Sequence, residues 1–334
     1  MRVLITGVNG QLGHDAALEF AARGHSVTGT GTAPSERPDY VRLDLRDGDA
    51  VSRVVDEVMP DAVIHCAAWT AVDAAERAEN REAVRAVNVH GTENLARACK
   101  NTGCKMLYIS TDYVFPGTGD APWTAACRDF APCNFYGQTK LEGEFAVSDN
   151  LENFFVVRTA WLYGQNGNNF VKTMRRLART HDTIRVVADQ IGTPTYSRDL
   201  ARLLADMAQS VRYGFYNATN EGGFISWYDF ARAIFEREGF DTQVIPVTTA
   251  EYGAEAPRPL NSRLDKSKLA RQGFAPLPAW QDALDRFLAG LHSTELRNSN
   301  VAQKNKSGRR IYNQTAGIWR QPGIFHGNVV EGCI

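Results

Sequence analysis

The stretch "MRVLITGVNGQLG" constrains this chain more than any other. An apolar strand, "RVLITG", runs into glycines at 7, 10 and 13, and Leu12 to Arg23 then alternates small and apolar residues at helical spacing. A strand, a glycine turn and a helix in that order open a parallel βαβ unit. The glycines let the backbone turn tightly and approach a pyrophosphate, while the helix start offers unpaired N–H groups and a favourable dipole. Gly7, Gly10 and Gly13, with Asn9, Gln11 and Leu12 in the same loop, are therefore candidate dinucleotide-binding residues.

The rest of the first half repeats the alternation. "HSVTGTG" is a second strand, Asp47 to Val58 a charged helix, "AVIHCAA" a third strand, Arg81 to Asn101 a helix, "KMLYIST" a fourth strand, Phe135 to Val147 a helix and "FFVVRTA" a further strand. Strands apolar on both faces and separated by helices predict a parallel sheet covered on both sides. The fold class expected is α/β, a Rossmann-type doubly wound sheet over residues 1–165, to which later strands can return.

Composition changes after that. The Asn- and Gly-rich "YGQNGNNF" reads as loop, followed by a helix from Val171 to Arg179, the strand "IRVVAD", an amphipathic helix in "SRDLARLLADMA", a helix from Trp227 to Glu238, the strand "TQVIPV" and a last helix from Trp280 to Leu288. Residues 166–291 are expected to form a smaller C-terminal, mainly substrate-binding domain. The tail, 292–334, has little periodicity and reads as irregular, with one apolar cluster, "GIFHGNVV".

Charge and cysteine usage narrow the chemistry. A net charge of -1 gives no attraction to nucleic acid or anionic membrane, and no apolar run approaches the roughly 20 residues that span a bilayer. The cysteines at 66, 99, 104, 127, 133 and 333 form no CxxC pair, which suits a reducing cytoplasm and no metal site. There is no GxSxG elbow and no HExxH, so hydrolase and zinc readings have no support.

The second strand ends in "TGTGTAPSER", with Thr30 and Thr32 where a NAD-selective site carries an acid and Arg37 nearby. That favours NADPH, with NADH tolerated. Asp44 and Leu45, in "VRLDLRD", are expected to line the adenine end, while Asp47 caps the next helix.

"NFYGQTK" places Tyr136 and Lys140 four apart, on one face of a helix. Alone the pair is an ordinary helix contact; behind a dinucleotide loop it is a candidate proton donor and a cation that tunes it. Hydride addition to a carbonyl builds charge on oxygen, so a second donor is expected. "YISTDYVF" ends a strand at the edge where doubly wound folds bind ligands, and there Ser110 and Thr111 both offer hydroxyls.

The motifs "GVNGQLG", "AAWTAVDAAE", "AVNVHGTENLA", "STDYVFPG", "YGQTKLEGE", "VVRTAWLYG", "NNFVKTM", "DQIGTPT" and "RPLNSRLDKSKL", spread over residues 1 to 290, resemble the dTDP-4-dehydrorhamnose reductase family within the extended short-chain dehydrogenase/reductase superfamily. The resemblance implies NADPH-dependent reduction of the 4-keto group of dTDP-4-dehydro-β-L-rhamnose to dTDP-L-rhamnose. It makes Tyr136 the acid, Lys140 its partner and ribose ligand, and Thr111 the hydroxyl that polarises the carbonyl. Ala67, Ala68, Thr70 and Asn88 would lie along the cofactor, and Asp73 and Asp112 would orient the sugar or nearby loops. Trp161, Asn169, Gln190 and Thr195 would meet the sugar nucleotide, and Arg258 its diphosphate, since a guanidinium engages two oxygens at once.

The loop "PGTGDAPWTAACRDFAPCNF" departs from the family, which carries a more acidic segment with Tyr and Glu there. The resemblance is compatible with a homodimer and with a magnesium ion that no residue here places. The same residues suit another nucleotide-sugar 4-keto reductase or an epimerase. A non-catalytic regulatory subunit, like the β-subunit of methionine adenosyltransferase, keeps this fold without needing turnover.

Overall fold

The computed structural model describes the backbone of residues 1–312 and the side chains of residues 1–297. The first half runs β1 (Arg2–Thr6), α1 (Gln11–Ala22), β2 (Ser26–Gly31), β3 (Tyr40–Arg42), α2 (Gly48–Val58), β4 (Ala62–His65), α3 (Val72–Glu76), α4 (Arg81–Arg85), α5 (Gly91–Thr102), β5 (Lys105–Thr111), α6 (Phe135–Ser148) and β6 (Phe154–Thr159). There follow β7 (Leu162–Tyr163), α7 (Phe170–Ala178), β8 (Thr183–Val187), β9 (Ile191–Gly192), β10 (Thr195–Tyr196), α8 (Ser197–Ala208) and β11 (Gly214–Asn217). The last elements are β12 (Ile225–Ser226), α9 (Trp227–Glu238), β13 (Gln243–Val247), α10 (Thr249–Tyr252), α11 (Ser267–Arg271) and α12 (Trp280–Tyr312).

The main sheet is parallel, in the order β11-β6-β5-β4-β1-β2-β3. Its central strands carry apolar residues at consecutive positions because alternate side chains enter two different cores. Val3 and Ile5 of β1, Ala62 and Ile64 of β4, and Phe155 and Val157 of β6 pack with α1 and α8. Leu4, Val63 and Val156, between them, pack on the other face with α2 and α5. Strand order reverses beside β1, and the carboxyl ends of β1, β4 and β5 open a crevice there. The fold is the doubly wound one expected, with residues beyond 165 contributing to it: α8 packs on α1, and β11 extends the sheet beside β6.

A third core gathers Tyr163, Phe170, Met174, Trp227, Phe230 and Phe287 from α7, α9, α12 and the short strands. Ser226 starts α9 with a capping box: its hydroxyl accepts from Asp229 N, and the Asp229 carboxylate accepts from Ser226 N. A cap of this kind contributes about 1 kcal/mol.

Two expectations need correcting. The helix expected from Arg81 to Asn101 is interrupted by a π turn over Ala86–His90. The irregular tail expected from 292 is helical up to Tyr312, as part of α12. Its polar composition suggested irregularity, but residues 291–307 contain neither Gly nor Pro. His292 also reaches Glu238 at 2.8 Å, and Glu295 reaches Arg175 at 3.0 Å, which ties the helix to α7 and α9. The cluster "GIFHGNVV" lies outside the described residues.

Candidate active site

The crevice encloses about 1300 Å³ and is lined from both halves of the chain. At one end is the glycine loop. Gly7 adopts φ +66°, and a Cβ there would stand 2.8 Å from the Ala67 backbone. A Cβ on Gly13 would meet the Gly7 carbonyl at 2.2 Å, so this glycine lets α1 sit on the end of β1. At Gly10 only the Gly7 carbonyl comes near, at 3.2 Å, leaving the side toward the crevice open. Gly10 is also the N-cap of α1, and no side chain caps the helix. The uncapped N–H groups and the glycine-walled space beside them fit a pyrophosphate.

The far end is lined by Thr30, Gly31, Thr32, Asp44, Leu45 and Arg46. Arg37, expected near a ribose phosphate, does not line the crevice; the arginine at this far end is Arg46, held by Asp44 at 2.6 Å. Sequence reading missed Arg46 because its position follows from the turn after β3, not from a motif.

Ala67, Ala68 and Thr70 line the crevice wall. Asn88 and Asn9 do not. Asn88 is buried and works from behind: its Oδ1 accepts from Trp69 N at 2.7 Å, and its Nδ2 donates to Trp69 O at 3.2 Å and Thr139 Oγ1 at 3.0 Å. Asn9 sits at the loop tip, where its carbonyl accepts from Asn166.

Thr111, Asp112, Tyr136 and Lys140 converge at the centre. Asn134 starts α6, accepting from Gly137 N at 2.7 Å, and a Cβ on Gly137 would meet the Tyr113 carbonyl at 2.4 Å. This close approach brings Tyr136 to the end of β5, next to the Thr111 side chain. Both residues left open by the strand pattern line the crevice, but the Ser110 hydroxyl is committed to buried Glu144 at 2.6 Å, while the Thr111 hydroxyl donates to Asp112 Oδ1 at 3.1 Å beside Tyr136.

The electrostatics correct one expectation. Loss of solvent deep in the crevice raises the Tyr136 phenol above its ordinary value; the Asp112 carboxyl adds to this and the Thr111 hydroxyl opposes it. The Lys140 ammonium is directed elsewhere, donating to the Ile109 carbonyl at 2.8 Å and facing the Tyr108 ring at 4.0 Å. Tyr136 is thus held as a neutral phenol, the form that can give up a proton. Burial pulls Lys140 down to about 7, against the Glu144 carboxylate. It pushes Asp112 up to about 6, against hydrogen bonds from Ser262 and Thr111. Asp112 Oδ2 is buried with no hydrogen-bond partner among the described residues.

On the opposite wall, Trp161 is at φ +51° and stacks on Trp227 with ring centroids 3.8 Å apart, both lining the crevice. Asn169 also lines it, but caps α7 and donates to Gln11 Oε1 and Gly164 O, so its amide is already committed. Gln190 and Thr195 are corrections: both are buried away from the crevice, Gln190 donating to Thr249 Oγ1 and Thr195 to Ala160 O. Polar loop composition suggested ligand contact where the chain uses these groups to satisfy itself. Arg258 lines the crevice with its fork on Asp73, at 3.0 and 2.8 Å. Among the described residues no group of three or more His, Cys, Asp or Glu could hold a metal ion, and no helix is long and apolar enough to cross a membrane.

Comparison with known proteins adds three findings. The family model described as the RmlD substrate binding domain matches residues 1–293. A dTDP-4-dehydrorhamnose reductase of Streptomyces griseus is 41% identical over 297 residues, covering 87% of this chain and 94% of the relative. Among solved structures, dTDP-4-dehydrorhamnose reductases from Bacillus anthracis, in complex with NADP, and from Clostridium acetobutylicum superpose with TM-scores of 0.80 and 0.81. Each is 39% identical; they cover 86% and 87% of this chain and are themselves covered over 99% and 100%.

Proposed function

The chain belongs to the dTDP-4-dehydrorhamnose reductase family, and from that premise we propose that it reduces the 4-keto group of dTDP-4-dehydro-β-L-rhamnose to give dTDP-L-rhamnose. The observation that carries the reading is the meeting of Thr111 and Tyr136 at the centre of a crevice whose end is a glycine-walled helix start. NADPH, when bound, supplies the hydride.

The loop from Gly7 to Gly13 would hold the cofactor's diphosphate, Asp44 and Leu45 its adenosine end, and Lys140 its nicotinamide ribose. β2 ends in Thr30 and Gly31 with no acid, which suits a ribose phosphate and leaves NADH usable. Tyr136, kept protonated by burial, delivers its proton to the 4-oxygen as charge builds there, and Thr111, its hydroxyl turned from Asp112, donates a second hydrogen bond to that oxygen. The orphaned Oδ2 of Asp112 accepts from a sugar hydroxyl, and Trp161 forms the wall of the sugar pocket. Arg258 reaches the diphosphate only by sharing its fork with Asp73.

The test is NADPH oxidation with dTDP-4-dehydro-L-rhamnose against other nucleotide-linked keto-sugars. Stoichiometric oxidation with the rhamnose precursor is expected, with a loss of at least about 100-fold in Tyr136→Phe. An epimerase would turn over without net NADPH consumption, and a regulatory subunit would not oxidise it; either result overturns the proposal.

A further inference from the structure

Behind the reacting groups lies a buried charged pair, Glu144 and Arg158, that meets the crevice only through Ser110. Glu144 and Arg158 are 0% exposed and Ser110 is 3% exposed. Ser110 Oγ donates to Glu144 Oε1 at 2.6 Å, Arg158 Nε donates to the same oxygen at 2.8 Å, and Arg158 Nη2 donates to Oε2 at 2.6 Å. The guanidinium is enclosed by the rings of Phe115, Phe130 and Phe215, 4.9 to 5.3 Å from their centroids. Ser110 is the register partner of Arg158 across β5 and β6, and immediately precedes Thr111. Glu144 follows Lys140 by one turn of α6. The network therefore joins the strand end that carries Thr111 to the helix that carries Tyr136 and Lys140.

Stability does not explain such a pair. Replacing a buried ion pair by apolar residues of similar size is often neutral or stabilising, because the desolvation cost rivals the attraction. Placement offers a different reason. Lys140 is 3% exposed, and its ammonium is faced by Tyr108 from β5 and by His65 and Cys66 at the end of β4. Burial keeps His65 near 3 and pushes Cys66 up to about 12, so both are uncharged at neutral pH. Glu144 is then the carboxylate that favours a charged Lys140, while Arg158 holds that carboxylate in place from the β6 side with hydrogen bonds of 2.8 and 2.6 Å.

We propose that Glu144 is a positioning residue for the reduction, keeping Lys140 as an ammonium and locking α6 to the Thr111 end of β5, with Arg158 and Ser110 as its fixed supports. This inference rests on the reaction proposed above for its kinetic consequence, but not for its electrostatic one.

Two readouts separate the cases: the pH profile of kcat/KM for NADPH oxidation, and the pH dependence of Lys140 acetylation by limiting acetic anhydride, followed by mass spectrometry on the full chain. Glu144→Gln leaves Arg158 without its counter-ion, so Glu144→Gln/Arg158→Met is made beside it to remove the orphaned charge. In either variant that folds, the half-labelling pH of Lys140 and the alkaline limb of kcat/KM are both expected about one pH unit lower. Both curves staying in place would overturn the inference, and so would a double variant that cannot fold, since the pair would then serve the core. If the wild type reduces no keto-sugar but its Lys140 labelling still moves with Glu144→Gln, the proposed reaction falls and this inference stands.

Discussion

Asn88 grips the backbone of Trp69 from both sides, accepting from its N–H at 2.7 Å and donating to its carbonyl at 3.2 Å. The grip fixes the segment Ala67 to Thr70 that walls the crevice, and depends on the π turn at Ala86–His90, a distortion that often marks functional helices. Asn88→Ala removes both bonds without touching a ligand. NADP affinity, measured by fluorescence titration, is expected to fall about tenfold, the cost of one to two buried hydrogen bonds.

Gly13 and Gly10 separate packing from binding. Gly13→Ala puts a Cβ 2.2 Å from the Gly7 carbonyl, so α1 must move off the sheet, and thermal unfolding is expected to show about 2 kcal/mol or more of destabilisation. Gly10→Ala meets that carbonyl at 3.2 Å and points into the crevice, so it should keep its melting temperature and lose cofactor affinity. The same outcome for both variants would contradict this division.

Lys140 carries a stability cost with a defined pH dependence. An unfolded lysine titrates near 10.4, whereas burial pulls this one down to about 7. Its folded pKa is depressed, so stability present above about 10.4 is lost as pH falls, and the loss is complete below about 7. Lys140→Met, with nothing to protonate, is expected to melt above the wild type at pH 6, with the difference shrinking toward pH 10. Its NADPH oxidation should be largely lost.

Asp112 ionises near 6 because burial outweighs the hydrogen bonds from Ser262 and Thr111. If its carboxylate accepts from the sugar, kcat/KM for the sugar nucleotide should drop as pH falls through about 6. Asp112→Asn should lose that acid limb and raise KM more than it lowers kcat. An unchanged acid limb would remove Asp112 from the sugar site.

Arg258 and Asp73 join the loop before α11 to α3 through two short hydrogen bonds, with Ala256 N also donating to Asp73. The Arg258 side chain is 4% exposed, so leaving it unpaired is costly. Asp73→Asn is expected to destabilise the protein by about 2 kcal/mol. The exposed Arg77–Glu255 pair nearby spans the same segments at 41% and 46% exposure, and Glu255→Gln should change stability by less than about 1 kcal/mol.

Much of this protein was legible in the order of its residues. The period-two burial of β1, β4 and β6 on two cores is the physical content of the apolar runs, and the glycine spacing gave the helix start. Asp47 caps α2 as its residue type and position suggested. Tyr136, Lys140 and Thr111 come together because strand ends and helix starts in this fold share one edge. Polar loop residues were another matter: Gln190 and Thr195 are chemically suited to a ligand, but pattern cannot tell a group facing a cavity from one satisfying the chain. The helix past Leu288 escaped notice because the cross-helix pairs of His292 and Glu295 leave no periodic trace.

The chain by itself determined the alternation of strands and helices, the glycine-walled turn and the spacing of the phenol and the amine, because each depends on neighbours a few residues away. Tertiary structure alone decided that the Ser110 hydroxyl is taken by Glu144, which arginine stands at the far end of the crevice, and that desolvation raises the Tyr136 phenol. Those outcomes depend on burial and on groups brought from distant parts of the chain, such as Glu144 beside Arg158, and solvent exclusion is a property of the packed molecule.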